Sequence, residues 1–148
     1  MSANLSSVSL SDIEILKHFK ENVIKCLDGL IELFPYEKNL IAFRVLFETG
    51  IPIDKVMEIF ARKIIPLGKI VRAKSNAFFL DDKKSFRIRL GTVELPWKEM
   101  WQSKNLDGQD RDSIWEFMNL FLGLAHMYSR NQGWNLVEGP VDEGKTSK

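Results

Sequence analysis

The sequence predicts a mainly α-helical protein: a single compact multi-helix domain with at most a short extended element near residues 86–90. Three observations predict this. Apolar residues recur at helical spacing in long stretches near both ends of the chain. Pro35, Gly50, Pro52 and Pro66 fall where those stretches break. Alternation with a period of two is confined to Phe86, Ile88 and Leu90, with Arg87 and Arg89 between them. The chain has 148 residues, 45% of them hydrophobic and 28% charged. That suits one folded domain able to bury a core without disulfides or metals.

The elements follow in order. Residues 1–10 read as a flexible leader. Ser11, with Glu14 three positions on, forms a capping-box pattern that opens the first helix. Leu16, Phe19, Val23, Cys26, Leu30 and Leu33 make its main apolar row. Ile24, Leu27, Ile31 and Phe34 make a second row beside it, giving a stripe broad enough to face a core. Pro35 ends the helix by disfavouring the helical region for the residue before it. A second helix is expected from about Tyr36 to Thr49, with Leu40, Phe43 and Phe47 inward and Gly50 as a left-handed cap. Pro52 suits the first position of a third helix, which carries Val56, Ile59, Phe60 and Ile64 and stops before Pro66. Ile70, Val71 and Ala73 suggest a short helix, and Phe78–Leu80 an apolar cluster. Pro96 can start a short helix bearing Trp97, Met100 and Trp101. A last long helix is expected from near Asp110 or Asp112, with Ile114, Trp115, Met118, Phe121, Leu122 and Ala125 packing on the first helix. The helical domain is expected over residues 11–137 and a disordered tail over 138–148, where polar residues, Gly and Pro prevail.

Composition and motifs argue against an enzyme. Structural zinc needs four Cys or His ligands at set spacings, and the chain has one Cys, Cys26, and two distant His, His18 and His126. Cys26 lies on an apolar stripe, where it acts as a small hydrophobe rather than an activated thiol. His126 near the end of the last helix reads as a satisfied or dipole-facing histidine. Asp81-Asp82 beside Lys83-Lys84 reads as a solvated turn. No nucleotide-binding glycine loop or nucleophile-elbow motif occurs. The expectation is therefore no catalytic residue, no metal site and no cofactor. There is no secretory signal pattern, and the most apolar window, residues 117–128, is too short to cross a bilayer. We expect a protein that is not secreted and does not insert into a membrane.

Two features point to partners. Between residues 62 and 89 nine basic residues (Arg62, Lys63, Lys69, Arg72, Lys74, Lys83, Lys84, Arg87 and Arg89) stand against two acids, a net of +7 in a chain whose total is +1. Such asymmetry suits a polyanion or the acidic face of another protein. The bland reading is a solvated face offset by acids elsewhere in the fold. Trp97, Trp101 and Trp115 have helical spacing and read as core. Trp134, after Gln132-Gly133, either folds back on the core or anchors a partner.

The C-terminal half carries a resemblance. Leu95-Pro96-Trp97 leads to Met100-Trp101, then a polar linker, then Ile114-Trp115-Glu116-Phe117 opening an apolar helix through Leu120, Phe121 and Leu124. With Leu33-Phe34-Pro35 closing the first helix, residues 15–128 resemble a group of small uncharacterised proteins of nucleocytoplasmic large DNA viruses, phycodnavirus- and mimivirus-like. The chain departs from that pattern in Phe117-Met118, where an aromatic-Leu pair is more usual, and in its basic stretch. The matching residues are packing residues, so the resemblance implies a setting and no chemistry: a viral product located in the host cytoplasm or the virion. The functional expectation is a non-enzymatic protein-interaction module or virion component whose partner is another protein. The alternative is nucleic-acid binding through the basic segment 62–89.

Overall fold

A computed structural model describes residues 11–83 and 85–139. The expected leader, residues 1–10, residue Lys84 of the basic segment and residues 140–148 lie outside them. Among the described residues there are four helices of eight residues or more and three short ones, with one small hairpin. The fold is mainly α, as the periodicity predicts.

Helix α1, Asp12–Leu33, opens on the expected capping box. The Ser11 hydroxyl accepts from the Glu14 N–H, and the Glu14 carboxylate accepts from the Ser11 N–H. Its inward face is Ile15, Phe19, Val23, Cys26, Leu27 and Leu30. Leu16, Ile24, Ile31 and Leu33 flank this face and are only partly buried, so the inward direction is rotated slightly from the one the spacing suggested. Helix α2, Lys38–Val45, buries Leu40 and Phe43. It starts later than expected and ends in a π turn, Leu46–Gly50. There the Ile51 N–H donates to the Leu46 carbonyl at 3.1 Å, five residues back. Arg44 ties this region to α1 through Asp28 at 2.6 Å and also reaches Glu48 at 2.8 Å.

Gly50 is not the left-handed cap expected, since the positive-φ glycines are Gly91 and Gly133. The wider π turn absorbs the chain reversal, and a Cβ on Gly50 would stand 3.0 Å from Leu46 Cδ2. Pro52 serves as the N-cap rather than the first helical residue of α3, Ile53–Ile64, which buries Val56, Met57, Phe60, Ala61 and Ile64. The chain then passes through a 3₁₀ turn, Ile65–Leu67, which accommodates Pro66, into the short α4, Gly68–Arg72. Lys74 follows in the left-handed region at φ 54°. Helix α5, Ala77–Leu80, puts Phe78 and Phe79 in the core.

Residues 86–90 alternate as predicted, with Phe86, Ile88 and Leu90 buried and Arg87 and Arg89 exposed. Only β1, Arg89–Leu90, pairs regularly, antiparallel to β2, Val93–Glu94, across a turn at Gly91. Helix α6, Trp97–Trp101, and α7, Gly108–Gln132, complete the fold. Helix α7 starts earlier than expected because Asp107 caps it, with Asp110 reciprocating. The polar connection before it is held by Arg111, which donates to the carbonyls of Trp101 and Leu106 at 2.7 Å each.

The core sits between α1, α3 and α7. Phe19 is its hub, with ring centroids 5.2 Å from Phe60, 5.9 Å from Phe121 and 6.0 Å from Phe47. A second aromatic layer joins Phe79 to Trp97, Trp101 and Trp115. The edge-to-face and tilted arrangements are the ones ring quadrupoles favour. All three tryptophans expected in the core are there.

Candidate interaction surface

The basic segment is spread over several elements. Arg62 and Lys63 lie in the last turn of α3, and Lys69 and Arg72 stand three apart on α4. Lys74 sits in the following turn, Lys83 in the loop after α5, Arg87 before the hairpin and Arg89 on β1. Three of the arginines have acidic partners: Arg62 with Glu58 at 3.1 Å, Arg89 with the cross-strand Glu94 at 3.1 Å, and Arg72 with Glu138. Among the described residues Lys63, Lys69, Lys74, Lys83 and Arg87 form no salt bridge. The acids of the 81–82 turn are exposed, and Asp82 meets Lys98 at 2.5 Å. Carboxylates from outside the segment thus offset three of its nine cations.

The Arg72 pair belongs to an element the sequence reading missed. Helix α7 ends at Gly133, φ 75°, where the left-handed conformation lets the Trp134 N–H return to the Ser129 carbonyl at 3.0 Å. This helix stop needs a residue tolerant of positive φ. Residues 134–139 then run as a strap beside α3, the 3₁₀ turn and α4. Trp134, Leu136 and Glu138 are partly buried, while Asn135 and Val137 face out. The Trp134 ring lies edge to face with Tyr128, centroids 5.6 Å apart, and the Arg62 guanidinium covers it at 5.1 Å. Trp134 therefore folds back on the domain.

Glu138 anchors the far end. The Arg72 guanidinium reaches both carboxylate oxygens, with Nη1 2.5 Å from Oε1 and Nη2 on Oε2, a two-pronged contact suited to a planar carboxylate. His126 Nε2 lies 2.8 Å from Oε2. The Glu138 side chain is only 12% exposed although its Arg72 partner is 54% exposed. Hydrogen bonding from Arg72 holds the Glu138 carboxyl below its ordinary pKa against the opposing effect of burial, and His126 adds to the lowering. Gly68 makes the seat: a Cβ there would lie 2.4 Å from Glu138 Cδ and Oε2. The Gly139 N–H closes the strap on the Pro66 carbonyl at 2.9 Å.

The tail expected from 138 onward is corrected at its first two residues. Glu138 and Gly139 are docked, because a carboxylate, a guanidinium and an imidazole converge over a position with no side chain. The alternation Trp134, Leu136, Glu138 was the available signal, masked by the polar and glycine-rich composition around it.

Cys26 is fully buried, and burial pushes its thiol pKa up to about 12, which leaves it unreactive as a nucleophile. The core holds an apolar cavity of about 30 Å³ bordered by Phe19, Cys26, Phe60, Trp97 and Phe121. Ligand pockets run to roughly 300–1,000 Å³, so this is a packing gap. No group of three or more His, Cys, Asp or Glu is placed to hold a metal ion among the described residues, and no helix among them is long and apolar enough to cross a membrane.

A second surface feature lies on α2. Ile41 and Val45, one helical turn apart, are 46% and 57% exposed, and Tyr36, in the turn before the helix, is 92% exposed. Comparison with family models, with curated proteins and with solved structures finds no match to this chain.

Proposed function

We propose that this protein is a non-enzymatic interaction module whose partner is another protein. The observation that carries this reading is the outer face of α2. Its inner face is spent on Leu40 and Phe43, yet Ile41 and Val45 still present a second apolar row to solvent, beside the exposed Tyr36. Single exposed apolar residues are ordinary on a protein surface, but Ile41 and Val45 stand one turn apart on the same face of α2, and such a paired apolar row is the kind of feature that docks a partner. A virion-associated or host-cytoplasmic role in a large DNA virus is the setting that the resemblance of residues 15–128 suggests for such a module.

The nucleic-acid alternative draws on the five basic residues without a salt bridge, Lys63, Lys69, Lys74, Lys83 and Arg87. It is weakened by the carboxylates that engage Arg62, Arg72 and Arg89. The deciding experiment is affinity purification of the full chain, with and without nuclease, beside an Ile41→Glu/Val45→Glu variant. The variant should keep its melting temperature and lose the protein partner. Retention of every partner by the variant would refute the α2 reading. A partner set that vanishes with nuclease and falls steeply with salt would favour nucleic acid.

A further inference from the structure

The strap and its seat have the chemistry of a peptide complex formed within one chain. An extended segment lays alternate side chains into three positions: an aromatic ring between Tyr128 and Arg62, an aliphatic side chain against the core, and a carboxylate held by Arg72 and His126 over Gly68. Its backbone is tied only at the ends, by Trp134 to Ser129 and Gly139 to Pro66. Among the described residues its middle makes no backbone–backbone hydrogen bond. The affinity of strap for seat thus resides in side chains and in the tether, and such an arrangement can be exchanged residue for residue by another segment of the same pattern.

We propose that this groove is a docking site for an extended acidic segment of a partner protein, with an aromatic, an aliphatic and a glutamate side chain at alternate positions, and that strap 134–139 occupies it in cis as a tethered competitor. The strap bound in the groove defines the occupant's chemistry. The fork of Arg72 selects a planar carboxylate, and the missing Cβ of Gly68 admits one at a depth no other residue would allow. Lys69, exposed on the same short helix as Arg72, adds positive charge toward an acidic segment. This inference concerns a different surface from the outer face of α2 and stands whether or not that face binds.

A directly tethered segment has an effective concentration on the order of millimolar, so a free peptide competes poorly with the closed strap. Opening the strap should therefore reveal the site. The probe is a fluorescently labelled peptide with the sequence of residues 133–139, GWNLVEG, titrated by polarisation against the full chain, first unaltered and then carrying Trp134→Ala and Glu138→Ala together. These two changes remove plugs from the strap and leave the groove intact. We expect the opened variant to bind the peptide at least about tenfold more tightly than the unaltered chain, in line with removal of an occupied state. Adding Arg72→Glu to the opened variant should abolish binding, and replacing the peptide's Glu by Lys should restore it. No saturable binding to a folded, opened variant overturns the proposal, as does binding indifferent to Arg72→Glu. Should the double variant fail to fold, Glu138→Gln and the unaltered chain at millimolar peptide provide the same reading by NMR. Displacement of the Trp134 indole signal supports the proposal, and an unmoved signal at saturating peptide refutes it.

Discussion

Gly68→Ala isolates the seat of the strap from the rest of the fold. The new methyl would lie 2.4 Å from Glu138 Cδ and Oε2 and 2.9 Å from Cγ. Ordinary contact begins near 3.4 Å, so the carboxylate must retreat by about 1 Å, and a retreat of that size takes the 2.8 Å contact with His126 beyond hydrogen-bond range. The clashing atoms are the end of a flexible side chain, so relief comes by Glu138 leaving rather than by α4 moving. Arg72 is half exposed, and an ion pair with that much solvent contributes roughly 0–1 kcal/mol. Alanine in place of glycine in a helix returns up to about 0.5–1 kcal/mol, less at a first helical position. The terms nearly cancel, so the melting temperature should move by no more than about 2–4 °C for a chain of this size. The local effect should be large: the Arg72 guanidinium and Glu138 amide resonances should shift to solvent-like positions. Unchanged resonances would refute the reasoning about space. A loss above about 3 kcal/mol would refute it too, by showing that the clash is not relieved at the Glu138 side chain alone.

The strap also carries an acid dependence. Glu138 has a folded pKa below its ordinary 4.5, so its docking adds stability above that pH that is lost as pH falls through the lower folded value. Melting curves of the unaltered chain and Glu138→Gln should therefore differ near neutrality and converge in acid; parallel curves throughout would rule out a stabilising carboxylate. Phe19→Ala removes the hub of the aromatic core and should cost roughly 3–5 kcal/mol in urea unfolding. A loss under about 0.5 kcal/mol, the scale of surface changes, would misplace α1. Cys26 should resist a thiol reagent at pH 8 until the chain unfolds, given its burial and a pKa of about 12. Rapid labelling of the folded chain would show that this face of α1 is open.

The sequence by itself determined the fold class, the α1 capping box, the inward residues of α7 and the alternation at 86–90. Each is a local or periodic property. A capping pair spans three residues, and a helical stripe repeats along a single element, so no knowledge of neighbours is needed to read either. Boundaries were less legible where two local solutions compete. The end of α2 could close on a left-handed Gly50 or on a wider turn, and it takes the π turn, in which the Ile51 N–H reaches the Leu46 carbonyl. Asp107 prevailed over Asp110 and Asp112 as the start of α7 because it and Asp110 satisfy each other's backbone N–H groups.

Tertiary structure alone decided which cations of the basic segment meet carboxylates and how residues 134–139 run after α7. Nine cations counted along a sequence look like one patch, but a charge acts through its spatial neighbours, and Glu138 lies 66 residues from the Arg72 it meets. The same contact turned residues 134–139, polar by composition, into a docked strap. Composition measures the average tendency to bury surface, and that average misses a segment whose alternate side chains each find a specific seat. The role of Gly68 as the floor of a carboxylate site exists only once residues 134–139 are laid over it.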